Sequence, residues 1–417
     1  TVRKCSQGRQ SKRMEKTVND KVNYKKGYKN ELLRLIYLCG LIPCGSLRVL
    51  KKDPRMYQRA VKGMEKEGIV IVDKKGGERN IRLQNRREHR GEYEFYLPAG
   101  YVEYYEKVAY QCFVKRLSTH GNTRTALSAI RSSATKILMY ASGVDITPDK
   151  RDIKTEMIKD EDIIYYDSVE IKTAFDYRDK AVVSGEAVGE ASKKLQNSRI
   201  SGVLISPGGI YAVYNIGKNL IKCRHFGEVK MATYISHMAR HRSETEISVN
   251  MPREAMVISR NPGLYTKICS KEPEGKREES ISCLGFVYDR LYAVPEDRDG
   301  VVMLHMMKEK SWRKRIFDSI LKASEQENSR YVSVCCDGYD KENDIYKQVF
   351  CVPDLVKLNR FVKRAGLEKA QRTSGKSRFV IYCFTCQEAY VTPIVGREEI
   401  AVMSMSIGLF YGKFFKI

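Results

Sequence analysis

Asp53–Leu83, DPRMYQRAVKGMEKEGIVIVDKKGGERNIRL, is the stretch that decides how this chain is read. Asp53-Pro54 is a helix start: an Asp to accept the first free N–H groups, then a Pro that suits the opening turn. Tyr57, Ala60, Val61 and Met64 recur at helical spacing, with Ile69 just beyond, so a helix is predicted from Pro54 to about Glu67. Gly68 closes it. The other face carries Arg55, Gln58, Arg59, Lys62 and Lys66. Ile69–Asp73 is a β-branched strand, Lys74–Asn80 (KKGGERN) a Gly-Gly turn, and Ile81–Leu83 the return strand.

Upstream, Glu31–Cys39 (ELLRLIYLC) reads as a short apolar helix ended by Gly40. Pro43 then fits the first turn of a second helix, CGSLRVL, ending near Leu50. Three helices and a basic hairpin predict a winged helix-turn-helix. A helix projecting several cations and an amide suits the major groove. Arg55, Gln58, Arg59 and Lys62 are therefore the candidate groove residues, and Lys74, Lys75 and Arg79 the candidate backbone contacts of the wing. A solvated charged helix, or a winged helix used for protein contact, would show the same apolar period. DNA is preferred because helix, hairpin and N-terminal tail are basic together.

The composition points the same way. The chain has 417 residues with 75 Lys+Arg against 51 Asp+Glu, a formal charge of +24 and a pI near 9.4. Residues 1–150 hold 32 of the cations and 15 of the carboxylates, a net +17; the rest hold 43 and 36, a net +7. Such asymmetry suits a polyanion-binding N-terminal module better than a general need for solubility. Thr1–Asn30 is polar and basic without an apolar period, and is expected to be a disordered tail. No apolar run approaches the ~20 residues that span a bilayer. No secretory signal is visible, and the start at Thr1 suggests that an initiator Met or a longer N-terminus precedes it. Twelve Cys at uneven spacings, several inside apolar runs, fit a reducing cytoplasm rather than a disulfide framework.

Glu94–Tyr105 (EFYLPAGYVEYY) reads as a strand entering a helix. The order LLRLIYLCGLIPCGSLRVL (Leu32–Leu50), YQRAVKGMEKEGIV (Tyr57–Val70), a turn, and YLPAGY (Tyr96–Tyr101) resembles the replication-relaxation proteins of Gram-positive plasmids and integrative conjugative elements. The resemblance covers roughly Asn30–Lys107. It implies DNA binding in replication or transfer of a mobile element, with other replication or transfer proteins as further partners. Members of that family can also carry an acidic nuclease-like site downstream.

That site is not apparent here. Residues 161–310 read as α/β, with a helix at Ser168–Phe175, a hairpin at Arg199–Gly217 and a helix at His225–Arg242. Metal-dependent cleavage needs carboxylates at strand ends and a nearby Lys. The hairpin has none, and Glu170-x-Lys172 and Glu228-x-Lys230 fall on helices, where such triplets are common in a chain with 30% charged residues. Glu170→Ala and Glu228→Ala are thus expected to leave DNA binding unchanged. His237 and His241 share a helix face but lack a third ligand and a neighbouring base, so a basic face with Arg240 and Arg242 is the simpler reading. No catalytic residue, metal or cofactor is assigned.

The remaining segments are organised around this core. Val102–Leu117 and Asn122–Tyr140 are predicted helices; in the second, Arg124 and Arg131 share one face with Ser128 and Ser132 nearby. A solvated stripe on a linker helix is slightly preferred there over further phosphate contacts. Ile146–Asp162 is polar and marks a domain boundary. Lys310–Asn328 should be a basic helix holding Trp312. Arg330–Gly338, Tyr346–Pro353, Ser377–Gln387 and Ala389–Ile394 read as strands, and Asp354–Gly366 as an amphipathic helix. Cys383-x-x-Cys386 has no partner pair, which argues against zinc or redox use. Glu399–Phe415 reads as core, with an apolar partner-binding end as the alternative. No repeat of 20–50 residues and no phosphate loop is evident.

The expected fold is α+β: tail 1–30, winged helix 31–105, helical linker 106–160, and an α/β body of one or two units at 161–310 and 311–417. The expected function is that of a cytoplasmic protein binding double-stranded DNA. The alternatives are a nuclease or relaxase that nicks DNA, and a transcription regulator whose body senses a ligand.

Overall fold

A computed structural model describes residues 27–75, 77–84, 123–147, 159, 161–168, 170–171, 198–242, 252–269, 283–332, 335–371, 378–396 and 400–415. The basic tail up to residue 26, the Glu94–Tyr105 phrase and the helix expected at Val102–Leu117 lie outside them. The chain divides into two units, Thr1–Ile137 and Leu138–Ile417, both mixing helix and strand.

The first unit opens with α1, Tyr28–Cys39, which buries Leu32, Leu33, Leu35, Ile36, Tyr37 and Leu38. It starts three residues before the predicted Glu31, and Tyr28 packs edge-on against Tyr57 at 5.0 Å. Ile42–Pro43 forms a short strand, β1. The predicted second α-helix is a 3₁₀ segment, Cys44–Val49. Pro43 does not open it helically: its ψ of 128° is extended, and it pairs with Asn80 of the hairpin. Having no N–H, Pro is tolerated in such an edge position.

α2 spans Pro54–Lys66, and the Asp53 side chain accepts the Arg55 N–H at 2.9 Å. Its far end is a Schellman turn. Gly68 has φ 72°, its N–H reaches Glu65 O, and Ile69 N–H reaches Met64 O at 2.9 Å. β2 (Val70–Lys75) and β3 (Glu78–Leu83) pair antiparallel, and the sheet order is β1-β3-β2. Lys75 faces Glu78, so only two residues form the turn, with Gly77 at φ 78°. The strands thus extend further than predicted: Lys74, Lys75 and Arg79 belong to the ladder rather than to the turn.

α3, Thr123–Ala141, runs across the division between the units. Within the first unit its Ser133 hydroxyl donates to Leu41 O, and Lys136 Nζ donates to Leu38 O at 3.2 Å. These two bonds anchor the helix at the end of α1.

The second unit holds two mixed sheets. β4 (Ile164–Asp167), β5 (Gly202–Ser206) and β6 (Gly209–Gly217) form an antiparallel meander. α4 (His225–Arg242) then leads to β7 (Glu254–Ser259), parallel to β6. α5 (Gly263–Cys269) and α6 (Leu284–Val287) lead to β8 (Arg290–Pro295), parallel to β7. α7 (Arg298–Met307), α8 (Trp312–Ile320) and α9 (Ala323–Asn328) follow. The expected single helix around Trp312 is broken at Leu321, which is extended.

The second sheet repeats this plan. β9 (Gly338–Asp340) and β10 (Ile345–Val349) are antiparallel; α10 (Leu355–Gln371), β11 (Arg378–Phe384), α11 (Glu388–Val395) and β12 (Ile400–Met405) add two parallel strands. The orders β5-β6-β7-β8 and β9-β10-β11-β12 match in sequence and in direction. The corresponding helices α5 and α11 meet through Tyr265 and Tyr390, whose rings lie 4.8 Å apart. One apolar core joins the two sheets, with Val203, Val257 and Ala293 on one side and Ile381, Cys383 and Ile400 on the other. β8 is also tied to the second sheet's chain through Ala293 N–H to Pro353 O at 2.9 Å.

Several sequence expectations change here. Ala389–Ile394 is helical, not a strand: Gln387 accepts the Phe384 N–H at 2.7 Å and starts the turn, and Pro393 is carried inside α11. Among its described residues, Arg330–Gly338 contains the end of a 3₁₀ turn (Ser329–Tyr331) and only the first residue of β9. α10 continues through Gly366 to Gln371. Glu399–Phe415 is not all core: β12 is an edge strand, α12 (Ile407–Phe414) follows it, and Met403 and Leu409 are exposed.

Candidate nucleic-acid interface

The two faces of α2 are sharply different. Tyr57 and Met64 are fully buried and Val61 nearly so, while Arg55, Gln58, Arg59 and Lys62 are exposed. Ala60 is half-buried rather than core. Arg55, Gln58 and Lys62 have no side-chain partner among the described residues. Arg59 lies against the sulfur of Met56, itself exposed.

For helix stability this placement is poor. Arg55 and Arg59 are four apart, as are Lys62 and Lys66, and each like-charge pair costs about 0.2–0.5 kcal/mol. Arg55 also sits in the first turn, where the helix dipole disfavours cations. Asp53 caps the N-terminus, but within the helix the one carboxylate is Glu65, and Glu67 just beyond pairs with Lys29.

The hairpin repeats the pattern. Lys74 and Arg79 are direct partners across the ladder, and both are exposed. By the period of two, they share the strand face that carries Val70, Ile81 and Leu83, which is the face buried against the helices. Arg79 acts on Cys44 in the 3₁₀ turn: burial pushes that thiol up and the nearby guanidinium pulls it partly back. Lys74 and Arg79 therefore emerge on the helix side of the sheet. On the opposite face Asp73 neutralises Arg82 at 2.6 Å.

Not every candidate joins this group. The Lys75 and Arg124 side chains lie outside the described residues. Arg131 is half-buried on α3 and has interactions of its own.

Sequence reasoning placed Glu170 and Glu228 on helices but missed that they belong to a set of buried carboxylates in the second unit. Glu228, fully buried on α4, accepts from Ser198 Oγ (2.7 Å), Arg199 N–H (2.8 Å) and Tyr214 OH (2.8 Å). Asp167 and Glu170 cap each other's backbone N–H across a helix start, at 2.9 and 2.8 Å. Glu254 bonds Arg290 at 2.7 Å and also meets Arg313. Glu296 holds Arg260 at 2.6 Å and Asn215 at 3.2 Å. Each is occupied by protein groups, and no cluster of three metal-ligating side chains exists among the described residues. The Asp-x-x-Glu spacing of a capping box was the one local signal available.

His237 and His241 lie on α4, but their side chains are outside the described residues. Burial pushes the thiols of Cys383 and Cys386 up to about 12. No described helix is long and apolar enough to cross a membrane. Comparison with family models, curated proteins and solved structures gave no match.

Proposed function

We propose that the first unit is a winged helix that binds double-stranded DNA. α2 enters the major groove with Arg55, Gln58, Arg59 and Lys62, and the β2–β3 hairpin lies on the phosphate backbone as the wing. One observation carries this reading: α2 exposes Arg55, Gln58, Arg59 and Lys62 with no carboxylate partner for their side chains among the described residues, and the hairpin sets the exposed Lys74 and Arg79 directly opposite each other, like charges placed where they weaken the fold. Charges kept at a cost to stability suit a polyanion. The helix–3₁₀–helix–hairpin order supports the same reading.

The resemblance of Leu32–Leu50 and Tyr57–Val70 to replication-relaxation proteins supports a role in replication or transfer of a mobile element, in the cytoplasm. The test is selection of bound sequences from random duplex DNA, followed by incubation of the selected site with Mg²⁺. A reproducible motif without cleavage is the expected result. Equal retention of all sequences would reduce the unit to a non-specific basic surface, and cleavage would make the protein a nuclease.

A further inference from the structure

We propose that the cleft between α5, α6 and α10 is a binding site for a small carboxylate with an apolar body. The cleft has a volume of about 210 Å³. Its floor is core material: Ile268, Leu291 and Leu355 are all buried. Cys269 closes one side by donating its thiol hydrogen to Leu355 O at 3.7 Å. Phe286 stands at the mouth and is 63% exposed, although it lies beside this apolar floor.

The rim is cationic. α10 turns Leu358, Phe361 and Ala365 into the core, which leaves Asn359, Arg360 and Lys363 along the cleft. Among the described residues no carboxylate lines it. Arg360 has no partner among the described residues. An apolar floor under two cations and an amide selects for an anion with a hydrophobic body: the body displaces water from the floor and the carboxylate meets the guanidinium. Size narrows the class. A closed cavity of about 150 Å³ holds benzene, so this cleft takes a ring or a short chain plus its carboxylate. The site lies in the second unit and does not depend on the DNA reading.

The experiment uses the full chain and three probes: phenylacetate, phenethylamine and inorganic phosphate. Titration calorimetry is expected to show saturable phenylacetate binding with a Kd of about 0.1–1 mM, well within the affinity ceiling for so small a ligand. Arg360→Glu is expected to weaken it at least tenfold, and Phe286→Ser several-fold, with the thermal transition unchanged because both side chains are exposed. Arg360→Gln, which keeps a polar side chain of similar length, should give an intermediate loss. Failure of phenylacetate to bind overturns the proposal. So does equal binding of phenethylamine, which would leave an apolar crevice only. Equal binding of phosphate, abolished by the same Arg360→Glu, would leave an anion-binding surface only and also overturn it.

Discussion

Lys74 and Arg79 sit directly opposite one another across the β2–β3 ladder, two exposed cations in a position where cross-strand partners normally attract. Like charges so placed cost a few tenths of a kcal/mol. Neutralising one should therefore stabilise the fold while weakening DNA binding. Lys74→Thr is expected to leave the thermal midpoint unchanged or slightly raised. The same variant should lose about 0.9 from the log–log salt slope of DNA affinity, the contribution of one phosphate contact. Parallel melting and salt titrations check both halves. A lower midpoint with an unchanged slope would mean that the pair serves the fold.

Glu228 gives the opposite pairing of effects. Its carboxylate accepts three hydrogen bonds in a fully buried position, and Tyr214, one of the donors, also bonds Tyr288 at 2.9 Å. Removing it leaves buried donors unpaired, at about 1–3 kcal/mol each. Glu228→Ala should cost about 3 kcal/mol or more of stability in the second unit. DNA affinity, measured on the protein that remains folded, should hold. Denaturant unfolding and binding on the same preparation separate the two; a loss of affinity without a loss of stability would place Glu228 in the DNA reaction.

The contrast between these residues shows what was legible in the sequence. α2 and the hairpin were readable because their signals are local: Asp53-Pro54, an apolar stripe, Gly68 and a Gly-Gly turn lie within thirty-one residues, 53–83. The outward arc of Arg55, Gln58, Arg59 and Lys62 followed from the same stripe. The burial of Glu228 was not readable, because its partners come from Ser198, Arg199 and Tyr214, brought together only by the sheet. The repetition of the two sheets was hidden for a related reason. Topology repeats while residue patterns do not: β7 (EAMVIS) is buried throughout, whereas β11 (RFVIYCF) alternates along its first half. Ala389–Ile394 failed locally, since a β-branched run with a Pro reads as a strand until Gln387 is seen to start a helix.

Cysteine chemistry offers a third check. Burial raises the Cys383 and Cys386 thiols to about 12. At pH 8 only about one in ten thousand of either is then thiolate, against roughly a quarter for an ordinary thiol. Cys335 is exposed. Brief alkylation of the native protein at pH 8, read by peptide mass analysis, should label Cys335 and spare Cys383 and Cys386. Raising the pH toward 10 should leave them spared, because the thiolate forms only as the pH approaches 12. Rapid labelling of either at pH 8 would contradict the packing around β11.

The last prediction concerns Arg59. It lies on the exposed arc of α2, one turn after Arg55, and its guanidinium rests against the Met56 sulfur rather than on a carboxylate. If α2 enters the groove as proposed, a guanidinium held there without a counter-charge can pair bidentately with guanine, a contact worth about 1–3 kcal/mol of discrimination against the wrong base. A phosphate contact by the same group would favour all sequences alike. The two roles leave different signatures. Arg59→Ala, assayed by repeating the selection from random duplex DNA, is expected to relax preference at one or two positions of the motif as well as to lower affinity. Lys74→Ala in the hairpin should lower affinity and leave every position of the motif intact, because backbone oxygens are the same at each step. Lys62, further along the arc, tests where the groove contact ends: if Lys62→Ala behaves like the hairpin variant, base reading is confined to the first two turns of α2. A uniform loss from Arg59→Ala, with the motif unchanged, would turn α2 into a phosphate clamp and leave sequence selection without a carrier on this helix.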